Sequence, residues 1–169
     1  PRYPGTCRDR RLTPGPGLGL RVELVPGVEV FDDVLCGVQR QDPSMQCGDL
    51  LLRDRLGYWT YQFAVTVDDL RQGVDLVIRG ADLIDSTGRQ IRLARLLGRE
   101  QPPVYLHHSL LVKPSGEKLS KSNRDTGVRD LRARGLEAAE VIGRAAHLVG
   151  LQDEPRRLRA DSVAAFFDG

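Results

Sequence analysis

The sequence predicts an α/β protein, and three observations predict it. Apolar residues at helical spacing after Tyr61 give way to the β-branched run 74–80, and helical spacing resumes after Ser86, so helix, strand and helix alternate. Short runs of alternating polarity between Leu20 and Trp59 place strands ahead of that unit. An amphipathic stretch near the C-terminus adds a helix behind it.

The elements follow in order. Residues 1–19 are rich in Pro, Gly and Arg, and TPGPGLG has turn chemistry, so no core is expected there. LRVELV, from Leu20, alternates, breaks at Pro26-Gly27 and resumes in VEVF, which fits a β-hairpin or two short strands. DLLLRDRLGYW places apolar runs on either side of a charged turn containing Gly57. Phe63, Ala64, Val67 and Leu70 then share one helical face and Gly73 stands at the stop. VDLVIRG reads as a buried strand. In the next helix Thr87 and Gln90 have capping-box spacing, Ile91, Leu93, Leu96 and Leu97 supply apolar positions, and Gly98 ends it. VYLHHSLLV is a strand candidate in which His107 and His108 point to opposite faces. LEAAEVIGRAAHLVG carries the stripe Ala139, Ile142, Ala146 and Val149 with Gly150 as its stop, and SVAAFFDG adds one or two helical turns.

Composition bounds the function. A chain of 169 residues with 40% hydrophobic content can bury one core. Its 25 basic and 23 acidic residues are well mixed, so any nucleic-acid binding must be local. Cys7, Cys36 and Cys47 form neither a disulfide framework nor a CxxC pair, no complete metal site is expected, and Cys36 and Cys47 read as small buried hydrophobes. No apolar run has membrane-spanning length and PRYPGTCRDRR lacks signal-peptide character, so a cytoplasmic chain without a membrane partner is expected.

One short stretch departs from the chain's habits. There are three lysines against 22 arginines, and two of the three fall in SGEKLSKSN. Lysine suits a loop that brings a mobile point charge to a phosphate, and Ser120 and Ser122 add small donors; the plain alternative is a solvated surface loop. Asp68 and Asp69 are adjacent on a helix, do not face the same way, and are read as structural.

EKLSKSN resembles the KMSKS loop of class I aminoacyl-tRNA synthetases. It follows YQFAVTVDDLRQGVDLVIRGADLIDSTGRQIRLARLLG and PVYLHHSL in the order and spacing of that class's glutamyl branch. Within the branch, RQGVDLVIRGADLIDST and the ending soon after resemble the short members that glutamylate queuosine in tRNA(Asp) and have no anticodon-binding domain. The resemblance implies the second half of a class I Rossmann-type domain with a β-rich insertion and C-terminal helices. Its divisions would be 1–19, the tail of a zinc-knuckle-like segment and linker; 20–56, the insertion; 57–125, the Rossmann half with the KLSKS loop; and 126–169, a helical segment.

The same resemblance assigns roles. Lys118, Leu119, Ser120, Lys121 and Ser122 would bind ATP, brought with Mg2+, and Lys121 would be the catalytic cation; Tyr61 and Arg79 would bind glutamate. Tyr3 and Cys7 match the last two ligands of the family's zinc knuckle, so zinc would be held only with further ligands from upstream. No HIGH-type signature is present, and the sequence resembles the C-terminal part of a longer, monomeric enzyme. The partners implied are glutamate, ATP and tRNA(Asp). A tRNA(Glu)-charging fragment and a non-catalytic tRNA-binding remnant are the alternatives. Gly88 stands where the family usually has proline and Thr66 where valine is common, changes expected to loosen helix entry.

Overall fold

The computed structural model describes residues 2–10, 12–13, 15–112 and 127–167. It divides into two compact units, Pro1–Ser109 and Leu110–Gly169. In the first unit β1 (Leu20–Val22) is followed by β2 (Glu29–Asp33), β3 (Gly37–Gln41), α1 (Pro43–Cys47), β4 (Leu50–Arg53), α2 (Tyr61–Gln72), β5 (Leu76–Gly80), α3 (Thr87–Leu96) and β6 (Val104–His108). The second contains α4 (Val128–Ala133) and α5 (Ala138–Leu148).

Two sheets form in the first unit. β1 pairs antiparallel with β4, while the other four strands run in the order β3-β2-β6-β5. β5 and β6 are parallel in the register Leu76↔Val104 to Gly80↔His108, as the helix-strand-helix alternation predicts. β2 joins β6 in parallel at Asp33↔Tyr105 and so carries the β2-β3 hairpin into the same sheet. Of the two options for 20–31, two separate strands is the outcome. Pro26-Gly27 crosses from one sheet to the other instead of making a hairpin, since Arg92 of α3 donates to the carbonyls of Val25 and Gly27 there. The same guanidinium and that of Arg95 neutralise Glu29, only 2% exposed at the start of β2.

α3 is buried on two sides, which is why its sequence lacks a clean polar face. Ile91 packs with Phe31, Tyr105 and Val77 on the four-stranded sheet, whereas Leu93 packs with Leu24 and Leu50 on the β1–β4 ribbon. α2 lies against α3 and sends Phe63 into the ribbon's core, with the Trp59 ring 4.7 Å away. Thr60 caps its start through Phe63 N, and Gly73, at φ 66°, ends it in the left-handed conformation that glycine adopts without strain. β5, expected to be buried, is the outermost of its four strands; Val77 is packed while Leu76 and Ile78 are exposed. Cys36 is likewise exposed, because it falls in the β2-β3 turn.

Gly88 and Thr66 tighten the structure where loosening was expected. Gly88 N donates to Gln41 Oε1 at 2.9 Å, and a Cβ at residue 88 would stand 2.9 Å from Gln41 Cβ, so neither proline nor alanine fits beside this glutamine. Thr66, buried, bonds back to Gln62 O at 2.8 Å.

The second unit rests on one close approach. Glu140 caps the start of α5 through Glu137 N, and the segment after the helix returns along it, Leu158 N donating to Ala139 O at 2.8 Å. Gly143 and Ala146 are buried beneath it, while Val149, expected on the same stripe, is exposed. A Cβ at residue 143 would lie 1.8 Å from Arg156 O. Gly143→Ala is therefore expected to destabilise this unit by about 1–3 kcal/mol although alanine is the better helix former. Hydrogen exchange should show the Leu158 amide losing protection while α5 keeps its own; retained protection at Leu158 would contradict the packing described.

Candidate active site

Arg79 lies on β5 opposite His107 on β6, and the parallel register makes them direct neighbours. Its guanidinium is held on three sides. Nε donates to His107 Nε2 at 2.9 Å, Nη1 to Gln90 Oε1 at 2.7 Å and Nη2 to Thr87 Oγ1 at 2.8 Å. The Tyr105 ring lies under it, 5.3 Å from its centroid. A guanidinium has five N–H groups, so among the described partners one remains uncommitted on each terminal nitrogen.

The partners are themselves fixed in one sense of donation. Because His107 Nε2 accepts from Arg79, its proton sits on Nδ1, which donates to Asp33 Oδ2 at 2.5 Å. Both side chains of this pair are fully buried. Asp33 also accepts the amides of Leu35, Cys36 and His107. Burial pushes its carboxyl up, but the imidazole and these amides prevail and hold it at about 2. On the other side, Gln90 Nε2 donates to Gln62 Oε1 at 2.7 Å, and Gln62 Nε2 to Ser86 Oγ at 3.0 Å. The network thus ties β2, β6, β5, α3 and α2 together. Burial raises the Tyr105 hydroxyl to about 12, so it stays protonated beneath the arginine.

Thr87 and Gln90 do not form the expected capping box. A 3-10 turn, Ala81–Ser86, leads into α3 and supplies Ile84 O to the Thr87 amide, so the helix start is already satisfied and both side chains turn to Arg79. Tyr61 opens α2, is half exposed, and precedes the Gln62 that closes the network. A cavity of about 830 Å³ lies elsewhere, lined among others by Tyr3, Cys7, Leu12, Arg21, Leu51 and Arg53, and includes neither Tyr61 nor Arg79. Asp68 is exposed, whereas Asp69 is partly buried and shifted up by that burial, against the pull of Arg79 and Arg99; the two form no pair.

The proposed zinc ligands meet, but not as a metal site. Tyr3 Oη accepts from Cys7 N at 2.9 Å and its ring stacks under Arg21 at 4.1 Å. No group of three or more His, Cys, Asp or Glu side chains able to hold a metal occurs among the described residues. Two donors do not close a four-ligand zinc site. Lys118, Leu119, Ser120, Lys121 and Ser122 lie outside the described residues. Among the described residues no helix is long and apolar enough to cross a membrane.

A family model described as tRNA synthetases class I (E and Q), catalytic domain, matches residues 18–157. The chain belongs to that family. Among relatives, the glutamyl-Q tRNA(Asp) synthetase of Nitratidesulfovibrio vulgaris is 42% identical over 156 residues, covering 88% of this chain and 48% of the relative. That of Symbiobacterium thermophilum is 40% identical over 177 residues, covering 99% and 54%. The chain spans about half the length of the curated relatives it matches. The crystal structure of glutamate-tRNA synthetase from Elizabethkingia anophelis aligns with a TM-score of 0.50 at 28% identity, over 67% of this chain and 21% of that one. A glutamate tRNA ligase from Elizabethkingia meningosepticum, solved in complex with its amino acid, aligns with a TM-score of 0.51 at the same identity and coverage. Membership of the class I E and Q family agrees with the α/β fold and with the resemblance carried by the KLSKS stretch.

Among the polar residues of this class I segment, the sequence reading reached Arg79 and missed the residues that hold it. Gln62, Ser86 and His107 fall inside the stretches that carry the resemblance but were given no role there, and Asp33 lies outside them. The available signal was the register: a parallel pairing of 76–80 with 104–108 puts a histidine beside the arginine.

Proposed function

We propose that this chain is the ATP-loop half of an enzyme that activates glutamate and transfers it to the queuosine nucleoside of tRNA(Asp). The observation that carries the reading is Arg79, a cation fixed on three sides with one N–H free on each terminal nitrogen among the described partners, a pattern suited to a bidentate carboxylate. Arg79 would hold the substrate's side-chain carboxylate, with Tyr61 beside it. The α-carboxylate of glutamate would attack the α-phosphate of ATP, expelling pyrophosphate and leaving a glutamyl adenylate. A hydroxyl of the tRNA nucleoside would then take the glutamyl group and release AMP. Lys121 would place its cation against the charge that builds on the phosphates, Lys118, Leu119, Ser120 and Ser122 would shape that loop, and Mg2+ would arrive with the nucleotide. Zinc at Tyr3 and Cys7 would need two further ligands from outside this chain.

A second reading, charging of tRNA(Glu), is favoured by the solved glutamate-tRNA synthetases. The names of the relatives that cover nearly the whole chain favour the first.

A chimera tests both readings. This chain would replace the matching portion of the Symbiobacterium thermophilum relative, with glutamate-dependent pyrophosphate exchange as the first readout. Exchange should be robust, and Lys121→Ala should lower it by about two orders of magnitude, the scale of one preorganised contact to developing charge. Transfer should require queuosine in tRNA(Asp). Transfer to tRNA(Glu) instead would support the second reading, and full exchange in the Lys121 variant would remove the loop from the mechanism.

A further inference from the structure

We infer that Asp33 and His107 are positioning residues that aim Arg79 and keep its terminal nitrogens available for a substrate carboxylate; this rests on the reading of Arg79 as the carboxylate-binding residue. The geometry gives the reason for an imidazole between the acid and the base. A buried aspartate paired directly with Arg79 would take two parallel N–H groups and consume the fork. Here the carboxylate acts one ring away. It fixes the Nδ1 proton of His107 at 2.5 Å, which leaves the Nε2 lone pair facing the arginine, and that lone pair takes one N–H of the guanidinium, Nε–H, at 2.9 Å, with the Thr87 hydroxyl 3.3 Å from the same nitrogen.

Thr87 and Gln90 then each take one N–H from a terminal nitrogen, at 2.8 and 2.7 Å, so the plane of the guanidinium is set by three contacts. Asp33 and His107 stand on β-strands with both side chains fully buried, so the ring is held from the acid side, and the arginine it meets does not give up its proton. The trio also carries its own countercharge. Arg79 therefore has a negative partner within the fold before any ligand arrives, and needs no solvent anion to be stable there.

Two strands, β5 and β6, set the distance. Arg79 and His107 are paired in register, and Asp33 reaches the ring from β2 on the far side of β6. The three residues sit at or next to the C-terminal ends of three successive strands, β2, β6 and β5.

The test begins with the chain itself. In 15N-labelled protein, a scalar coupling across the Arg79 Nε–H···Nε2 His107 hydrogen bond and slow exchange of that proton are expected, with His107 in the Nδ1–H tautomer. Absence of the coupling in the unmutated chain overturns the inference without reference to any variant. Asp33→Asn should abolish the coupling and speed exchange of the Arg79 Nε–H at least about tenfold, since an amide no longer dictates which ring nitrogen is protonated. His107→Phe should do the same.

In the chimera, Asp33→Asn should raise the glutamate KM at least about tenfold and leave the ATP KM within about twofold, a split that loss of folded protein alone would not give. An unchanged glutamate KM in Asp33→Asn, beside a raised one in Arg79→Lys, overturns the positioning role. An unchanged KM in Arg79→Lys itself defeats the glutamate reading, and the coupling and exchange data then decide positioning alone.

Discussion

Replacing Arg79 with lysine in the chimera is expected to raise the glutamate KM by about two orders of magnitude, with the ATP KM changed by no more than about twofold. Lysine keeps the charge and loses the plane. The guanidinium meets His107, Gln90 and Thr87 at once and still offers a free N–H on each terminal nitrogen; an ammonium has three donors on one atom and meets at most part of that set. A charged hydrogen bond contributes about 1.5–3 kcal/mol, so losing one arm of a bidentate contact together with its aim accounts for the expected factor. Steady-state kinetics with glutamate and ATP varied in turn would check it. Equal losses for both substrates would place the defect in folding or in a shared step.

Asp33→Ala is expected to destabilise the first unit by about 3–5 kcal/mol, lowering Tm by on the order of 15 °C. Removing the carboxylate strands the Nδ1–H of His107 and the amides of Leu35, Cys36 and His107, some of them in the most buried part of the unit. The pH dependence has a definite sign. Asp33 titrates at about 2 in the fold against an ordinary value of 3.8, so its stabilisation, on the order of 2 kcal/mol, is complete above 3.8 and lost as pH falls towards 2. Urea midpoints at pH 6, 4 and 2.5 should show the gap between wild type and Asp33→Ala narrowing only in the last interval. A gap that stays constant to pH 2.5 would remove the aspartate from the acid response.

How much of this was readable from residue order differs by element. The strand pair β5 and β6 was legible because β-branched and apolar runs bounded by Gly and Pro leave few alternatives, and α2 because Gly73 closes one apolar stripe; its cap, Thr60, was not read. Thr87 and Gln90 show why the site was harder. An i, i+3 spacing puts two side chains on one helical face whether they serve the backbone or a partner, and only the preceding 3-10 turn decides between those uses. The crossing at Pro26-Gly27 stayed open between a hairpin and two strands for a similar reason, since what prevents a hairpin there is Arg92, 65 and 67 positions from the carbonyls it binds. Lys121 is the reverse case. Its motif was the clearest signal in the sequence, and it lies outside the described residues.

The contact between Asp33 and His107 also sets a timetable. The two are 74 positions apart, so a ribosome adding about 5–20 residues per second delivers the aspartate roughly 4–15 s before its imidazole. Over that interval β2 has no parallel neighbour and its carboxylate stays hydrated, while Arg79, made in between, has no partner at Nε. Emergence of β6 closes the sheet, gives the carboxylate its buried donor and orients the arginine in one event. A nascent chain halted short of that strand would expose both charges to water, and quality-control proteases would meet it as an unfinished domain however well its first hairpin had formed.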